Sequence, residues 1–186
     1  MQSNPWLILA AVIAAFVPVV VDMTILHIAI PSLTVALGAS GNQVLWIIDI
    51  YPLVMAGLLV PMGTLADRIG YRKMLLLGLG IFTLASIAAA FSPTAPALIA
   101  ARAALGIGSS MIMPCVLALV RQAFEDDAER ATALGIWSVV GTAGAAIGPL
   151  IGGLLLERFW WGSVFLVNLP VMAIVIPMVW ILVPAL

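Results

Sequence analysis

The chain has 186 residues, 65% of them apolar and only 8% charged, with a mean hydropathy of +1.27. A water-soluble domain carries about 45–50% apolar and about 25% charged residues. The composition therefore excludes that class, along with disordered chains and disulfide-stapled folds, for which the single Cys115 has no partner. A net charge of −1 offers no basic surface for nucleic acid, which leaves an all-α polytopic membrane protein.

A spanning helix needs about 20 mostly apolar residues. Met1 to Pro5 lacks the positive stretch of a cleaved signal, and the apolar run behind it continues to Ile30, so it reads as a retained first helix. Of the fifteen charged side chains, twelve fall in three clusters: Asp67, Arg68, Arg72 and Lys73; Arg121 through Arg130; and Glu157 with Arg158. Polar or Pro-bearing breaks at Ser32 to Gln43 and Ser92 to Pro96 supply two more boundaries. The predicted spans are 6–30, 43–62, 74–91, 96–120, 131–155 and 163–184. Five Lys or Arg residues (Arg68, Arg72, Lys73, Arg121, Arg130) then lie on one side and Arg158 on the other, so the positive-inside rule makes the first side and the N-terminus cytoplasmic.

An internal echo supports two inverted three-helix repeats: Gly63 to Arg68 closes span 2 and Gly153 to Arg158 closes span 5, both reading G-x-L-x-[acid]-R. Gly144, Gly148 and Gly152, spaced by four on span 5 and followed by Gly153, with Pro149 inside the series, form a stripe that lets another helix approach closely.

Three charges remain inside spans: Asp22, Asp49 and Arg102. An ionised side chain at mid-membrane costs about 2.5–3.5 kcal/mol on insertion scales. At about 1.5 Å per residue, each lies roughly 9–12 Å below the outer end of its span, and similar depth predicts one shared polar cavity. A single Arg cannot neutralise two carboxylates, so one acid is free to take a proton or pair with an organic cation, but not both. His27, near the outer end of span 1, is a candidate proton relay whose plainer role is packing. Trp46, Tyr51, Met55, Met111 and Met113 offer aromatic and polarizable surface for a flat lipophilic cation, or simply pack helices. No metal site is expected.

These residues resemble the major facilitator superfamily, specifically the fourteen-helix drug:proton antiporters of the QacA/SmvA-like branch. Gly63-Thr64-Leu65-Ala66-Asp67-Arg68-Ile69-Gly70-Tyr71-Arg72-Lys73 is similar to the superfamily loop motif, with Tyr71 in place of the usual basic residue. Asp22 to Pro31 is similar to the first-helix motif D-x-T-v-v-n-v-A-L-P, with His27 where Asn is common. Arg102 with Gly106 matches the fourth-helix R-x-x-x-G motif, and Gly144 to Gly153 matches the fifth-helix antiporter motif g-x-x-x-G-P-x-x-G-G. Leu45 to Tyr51 resembles the branch's second helix, and Trp161 to Pro170 its sixth-helix opening.

The resemblance implies the N-terminal half of a proton-driven multidrug exporter in a bacterial cytoplasmic membrane. Its partners would be lipophilic or quaternary ammonium cations, protons, lipid and a C-terminal transporter half, with no cofactor and the proton gradient as energy source. It assigns Asp22, Asp49 and Arg102 to proton and cation exchange, the 63–73 loop to latching the two halves, and span 5 to the hinge between them. The competing reading is a non-transporting membrane subunit or assembly protein whose charges only pair helices. An intramembrane hydrolase using Ser109 or Ser110 with His27 is a distant third.

Overall fold

The computed structural model describes residues 4–184. The chain folds into helices α1 (Pro5–Leu37), α2 (Gly41–Ile69), α3 (Tyr71–Ala90), α4 (Ala95–Ala123), α5 (Asp127–Arg158), α6 (Ser163–Leu166) and α7 (Asn168–Leu182). Among the described residues six helical segments are long and apolar enough to cross a membrane, α6 and α7 together forming the last, Ser163–Leu182. The break between them follows from Pro170, which has no N–H to bond the carbonyl one turn back.

Helix ends replace most of the expected loops, because each connection closes with short capping chemistry. After α1 only 38–40 are non-helical: Gly38 takes the left-handed conformation (φ 60°), and Ala39 N–H returns to Thr34 O at 3.1 Å. Ser40 and Gln43 then form a reciprocal capping box at the start of α2. Between α2 and α3 the break is Gly70 alone, at φ 100° and ψ 142°, a conformation that favours glycine. Most of the 63–73 segment is thus helix end and helix start. Thr94 caps α4 and Asp126 caps α5 through Glu129 N–H. The helices extend past the predicted spans, so Asp22 lies near the middle of α1.

The packing has an internal two-fold pattern. α2 lies against α4, α5 lies against α1, and α1 and α4 meet at the centre, while α3 and α7 pack outside them. This is the arrangement expected of two inverted three-helix units, α1–α3 and α4–α7. α1 and α4 are the most buried spans, and α2 and α5 the least. Glycines set the close approaches. Gly78 on α3 and Gly108 on α4 cross so tightly that a Cβ on either would sit 3.0 Å from the other's carbonyl oxygen.

Candidate functional site

Arg102 and Asp22 sit at the crossing of α1 and α4, and both are buried, at 1% and 0% exposure. Arg102 Nη1 donates to Asp22 Oδ2 at 2.5 Å. Its Nε donates to the Ile47 carbonyl of α2 at 3.1 Å, and its Cζ lies 4.6 Å from the centroid of the Tyr51 ring. The Tyr51 hydroxyl donates to Val19 O of α1 at 3.2 Å and lies 2.7 Å from Ser109 Oγ of α4. One guanidinium therefore holds together three helices from both repeats. Among the described residues Asp22 Oδ1, which is buried, has no hydrogen-bond partner, so half of the carboxylate keeps unused capacity in a setting where an unmet acceptor is costly.

A hollow of about 80 Å³ reaches this centre, lined by Met23, Leu26, His27, Ile48, Tyr51, Pro52 and Arg102. His27 and Met23 are exposed at its rim. It is polar at one end and roomy enough for several waters.

Asp49 does not join this centre. It is exposed and lines a separate, wider groove of about 540 Å³ with Asn42, Leu45, Trp46, Pro52 and Leu53. The reason is helical phase. Ile47 and Tyr51, four apart, face the core, and Asp49 lies two residues from each, about 200° around the helix. The expected single cavity holding both acids is thus corrected to two neighbouring sites that share Pro52 on their linings. Among the described residues Arg102 pairs with Asp22 and leaves Asp49 without a basic partner, as expected, but the two acids do not share a site and do not compete for it.

The expected substrate-facing residues divide in the same way. Trp46 is half exposed beside Asp49. Tyr51 is fully buried under Arg102, and Met111 is buried against Gly78 in the α3–α4 contact, so neither presents a face to the wide groove. Met55 and Met113 are half-buried packing residues. Among the described residues no group of His, Cys, Asp and Glu has the arrangement of a metal site.

The glycine stripe of α5 faces α1 within the bundle. Gly144 approaches Val20, a Cβ on Gly148 would collide with Thr24 Oγ1 and lie 3.2 Å from Val21 O, and one on Gly152 would lie 3.1 Å from Ile25. These glycines admit the close approach of a helix that their spacing predicts, and the helix is the α1 segment that carries Asp22. Gly153 meets nothing within 4 Å, and Pro149 is half-buried. In the 63–73 motif, Tyr71 Oη donates to Asp67 across the Gly70 break. Gly63 approaches Pro114 of α4. Arg72 does not point outward with Arg68 and Lys73: its Nη2 donates to Trp180 O at 2.7 Å and its Cζ lies 4.5 Å from the Trp180 ring, tying α3 to the end of α7.

A transporter architecture of six spans in two inverted units, with an ion pair buried at the centre, is what this geometry defines. Residues 8–185 match the model of the Major Facilitator Superfamily, and the chain belongs to that family. Its members are transporters and not enzymes. The chain is 56% identical over 170 residues to the methyl viologen resistance protein SmvA of Salmonella typhimurium, covering 91% of this chain and 34% of that protein. It is 44% identical over 170 residues to the multidrug efflux pump LfrA of Mycolicibacterium smegmatis, again over 91% and 34%. With the methylenomycin A resistance protein of Streptomyces coelicolor the identity is 40%, over 89% of this chain and 35% of the relative. The chain thus spans about a third of the length of these relatives. Among solved structures, a peptide transporter POT (an E310Q mutant with sulfate) superposes with a TM-score of 0.80 at 20% identity, over 92% of this chain and 36% of that one, a likeness of fold. The family match and six apolar spans make this an integral membrane protein.

Proposed function

We propose that this chain is the N-terminal six-helix bundle of a proton-coupled exporter of lipophilic and quaternary ammonium cations. The proton gradient is its energy source, the bacterial cytoplasmic membrane its location and the cytoplasm the side of its N-terminus. A C-terminal set of helices completes the pathway, and no cofactor takes part. The observation that carries the reading is the buried Asp22–Arg102 pair with Asp22 Oδ1 left unpaired. Asp22 can take a proton only by weakening its hold on Arg102, so proton uptake alters the tie between α1 and α4 on which alternating access depends. The 80 Å³ hollow rimmed by His27 suits water and protons.

Asp49 and Trp46 suit the cation: a carboxylate and an aromatic face in a groove wide enough for a flat organic molecule. Proton and drug then do not alternate on one carboxylate. The two sites communicate through α2, where Ile47, two residues before Asp49, gives its carbonyl to Arg102 Nε. Names of the relatives support drug export as the cargo class.

The test is pH-gradient-driven ethidium export by vesicles holding a full-length transporter that carries this sequence. Asp22→Asn should abolish gradient-driven export at unchanged membrane level while ethidium still binds. Asp49→Asn should instead weaken apparent ethidium affinity by up to about fivefold, the value of one ion pair at a solvent-open site. Wild-type export in Asp22→Asn overturns the reading.

A further inference from the structure

The most enclosed aromatic in the site is Tyr51, and nothing in the exchange described above uses it. Its ring lies under a guanidinium that has one carboxylate partner, and its hydroxyl reaches Val19, three residues before Asp22, and Ser109, seven after Arg102. We infer that Tyr51 is a positioning residue of the proton site: its ring takes over as partner of the Arg102 cation when Asp22 is protonated, and so sets the pH at which the pair opens. This deepens the reading of Asp22–Arg102 as the proton site and rests on it.

The physical need is specific. When Asp22 gains a proton, Arg102 remains charged, buried and without a counter-ion. It keeps the Ile47 carbonyl through Nε and the negative face of the Tyr51 ring, an attraction that grows once the carboxylate no longer neutralises the guanidinium. The ring therefore stabilises the protonated state more than the ionised one. Apart from His27, which lines the same hollow as Arg102, no other ionisable side chain within the spans faces this centre among the described residues; α3 carries Tyr71, Arg72 and Lys73 only in its first turn. α5 carries no titratable side chain between Arg130 and Glu157, and 163–182 carries none. On α4 the other titratable group within the span is Cys115, thirteen residues on, and on α2 Asp49 faces away. His27 on α1 is at the rim of the hollow. The hydroxyl contacts fix the ring's tilt, and the quadrupole of the ring provides the effect.

The two contributions separate experimentally without disturbing the packing. In a full-length transporter carrying this sequence, Tyr51→Phe removes the hydroxyl ties and keeps the ring. Tyr51→4-fluoro-, 3,5-difluoro- and 3,4,5-trifluorophenylalanine then drain the ring's face in steps at nearly constant size. The readout is the infrared carbonyl band of protonated Asp22, assigned by its loss in Asp22→Asn and followed against pH in the purified protein. The expected result is a midpoint that moves toward acid with each fluorine, by about one pH unit in total, since a desolvated cation–π contact and one unit of proton affinity are of comparable size. The same order should appear in the pH midpoint of ethidium export. A flat series with an Asp22 band that does titrate overturns the role of Tyr51 alone. Absence of any Asp22 band that titrates removes the proton-site reading, and this inference with it.

Discussion

Arg102 is defined by partners on two other helices, and its removal separates structure from function. Taking away one member of a buried pair leaves the other charge uncompensated and costs about 3–5 kcal/mol, whereas replacing both with apolar groups of similar volume is often nearly neutral. Arg102→Met should therefore lower the unfolding temperature in detergent markedly, and Asp22→Leu/Arg102→Met should recover most of it. Lysine is a poor substitute, because a single ammonium cannot match the separate Nη1 and Nε contacts of the guanidinium fork. If the double variant also exports ethidium normally, the pair only holds helices together and Asp22 is not the proton site. Asp22 and Arg102 are legible in sequence as charges without solvent. Asp49 is legible too, but only by helical phase: Ile47 and Tyr51 share a face that excludes it, and depth alone placed it in the wrong company.

At the level of helices, apolar length and clustered charge locate all six spans, because a membrane leaves no other place for such segments. Their ends are less legible. The polar 32–43 and 63–73 stretches look like loops by composition, yet Ser40 with Gln43 is a capping box readable from S-x-x-Q, and one glycine at 70 suffices to turn the chain. Glycine spacing announces close contact without naming the partner, and the partner of the α5 stripe is α1. The contacts also rank the glycines. Of Gly106, Gly148 and Gly153, Gly106→Ala should be the most damaging, since its Cβ would lie 2.8 Å from the Tyr51 carbonyl, backbone that cannot rotate away. Gly148→Ala should cost about 1–3 kcal/mol as an overpacked contact, partly relieved by Thr24→Ala, which removes the colliding hydroxyl. Gly153→Ala, in open space, should be neutral or stabilising by up to about 1 kcal/mol through helix propensity. Thermal unfolding of the four variants at matched expression checks the order. A Gly153 effect as large as that of Gly106 would mean that contacts outside this bundle dominate the motif.

Across the whole molecule the asymmetry of burial decides what the bundle lacks. α1 and α4 are enclosed, while α2 and α5 leave broad apolar faces uncovered, with Val60 at 77% and Val139 and Leu150 at 69% exposure. Asp49 and Trp46 lie on the open face of α2. A charged carboxylate there is stable against water or a second set of helices and costly against lipid tails. The relatives, about three times as long as the segment they share with this chain, have the sequence to supply that second set. Export also needs a surface against which the bundle can rock, because a rigid six-helix unit has nothing to alternate with around a midplane site. The 186 residues alone, inserted into vesicles under an imposed pH gradient, should therefore accumulate no ethidium above protein-free vesicles, although the Asp22–Arg102 contact lies wholly within the bundle and should survive. Co-insertion of the remaining helices as a separate chain should restore gradient-driven uptake. Uptake at the full-length rate by the isolated bundle, with cross-linking showing no self-assembly, would mean that one bundle holds both sites and the moving interface, and the assignment of α2 and α5 as surfaces awaiting a partner would fail.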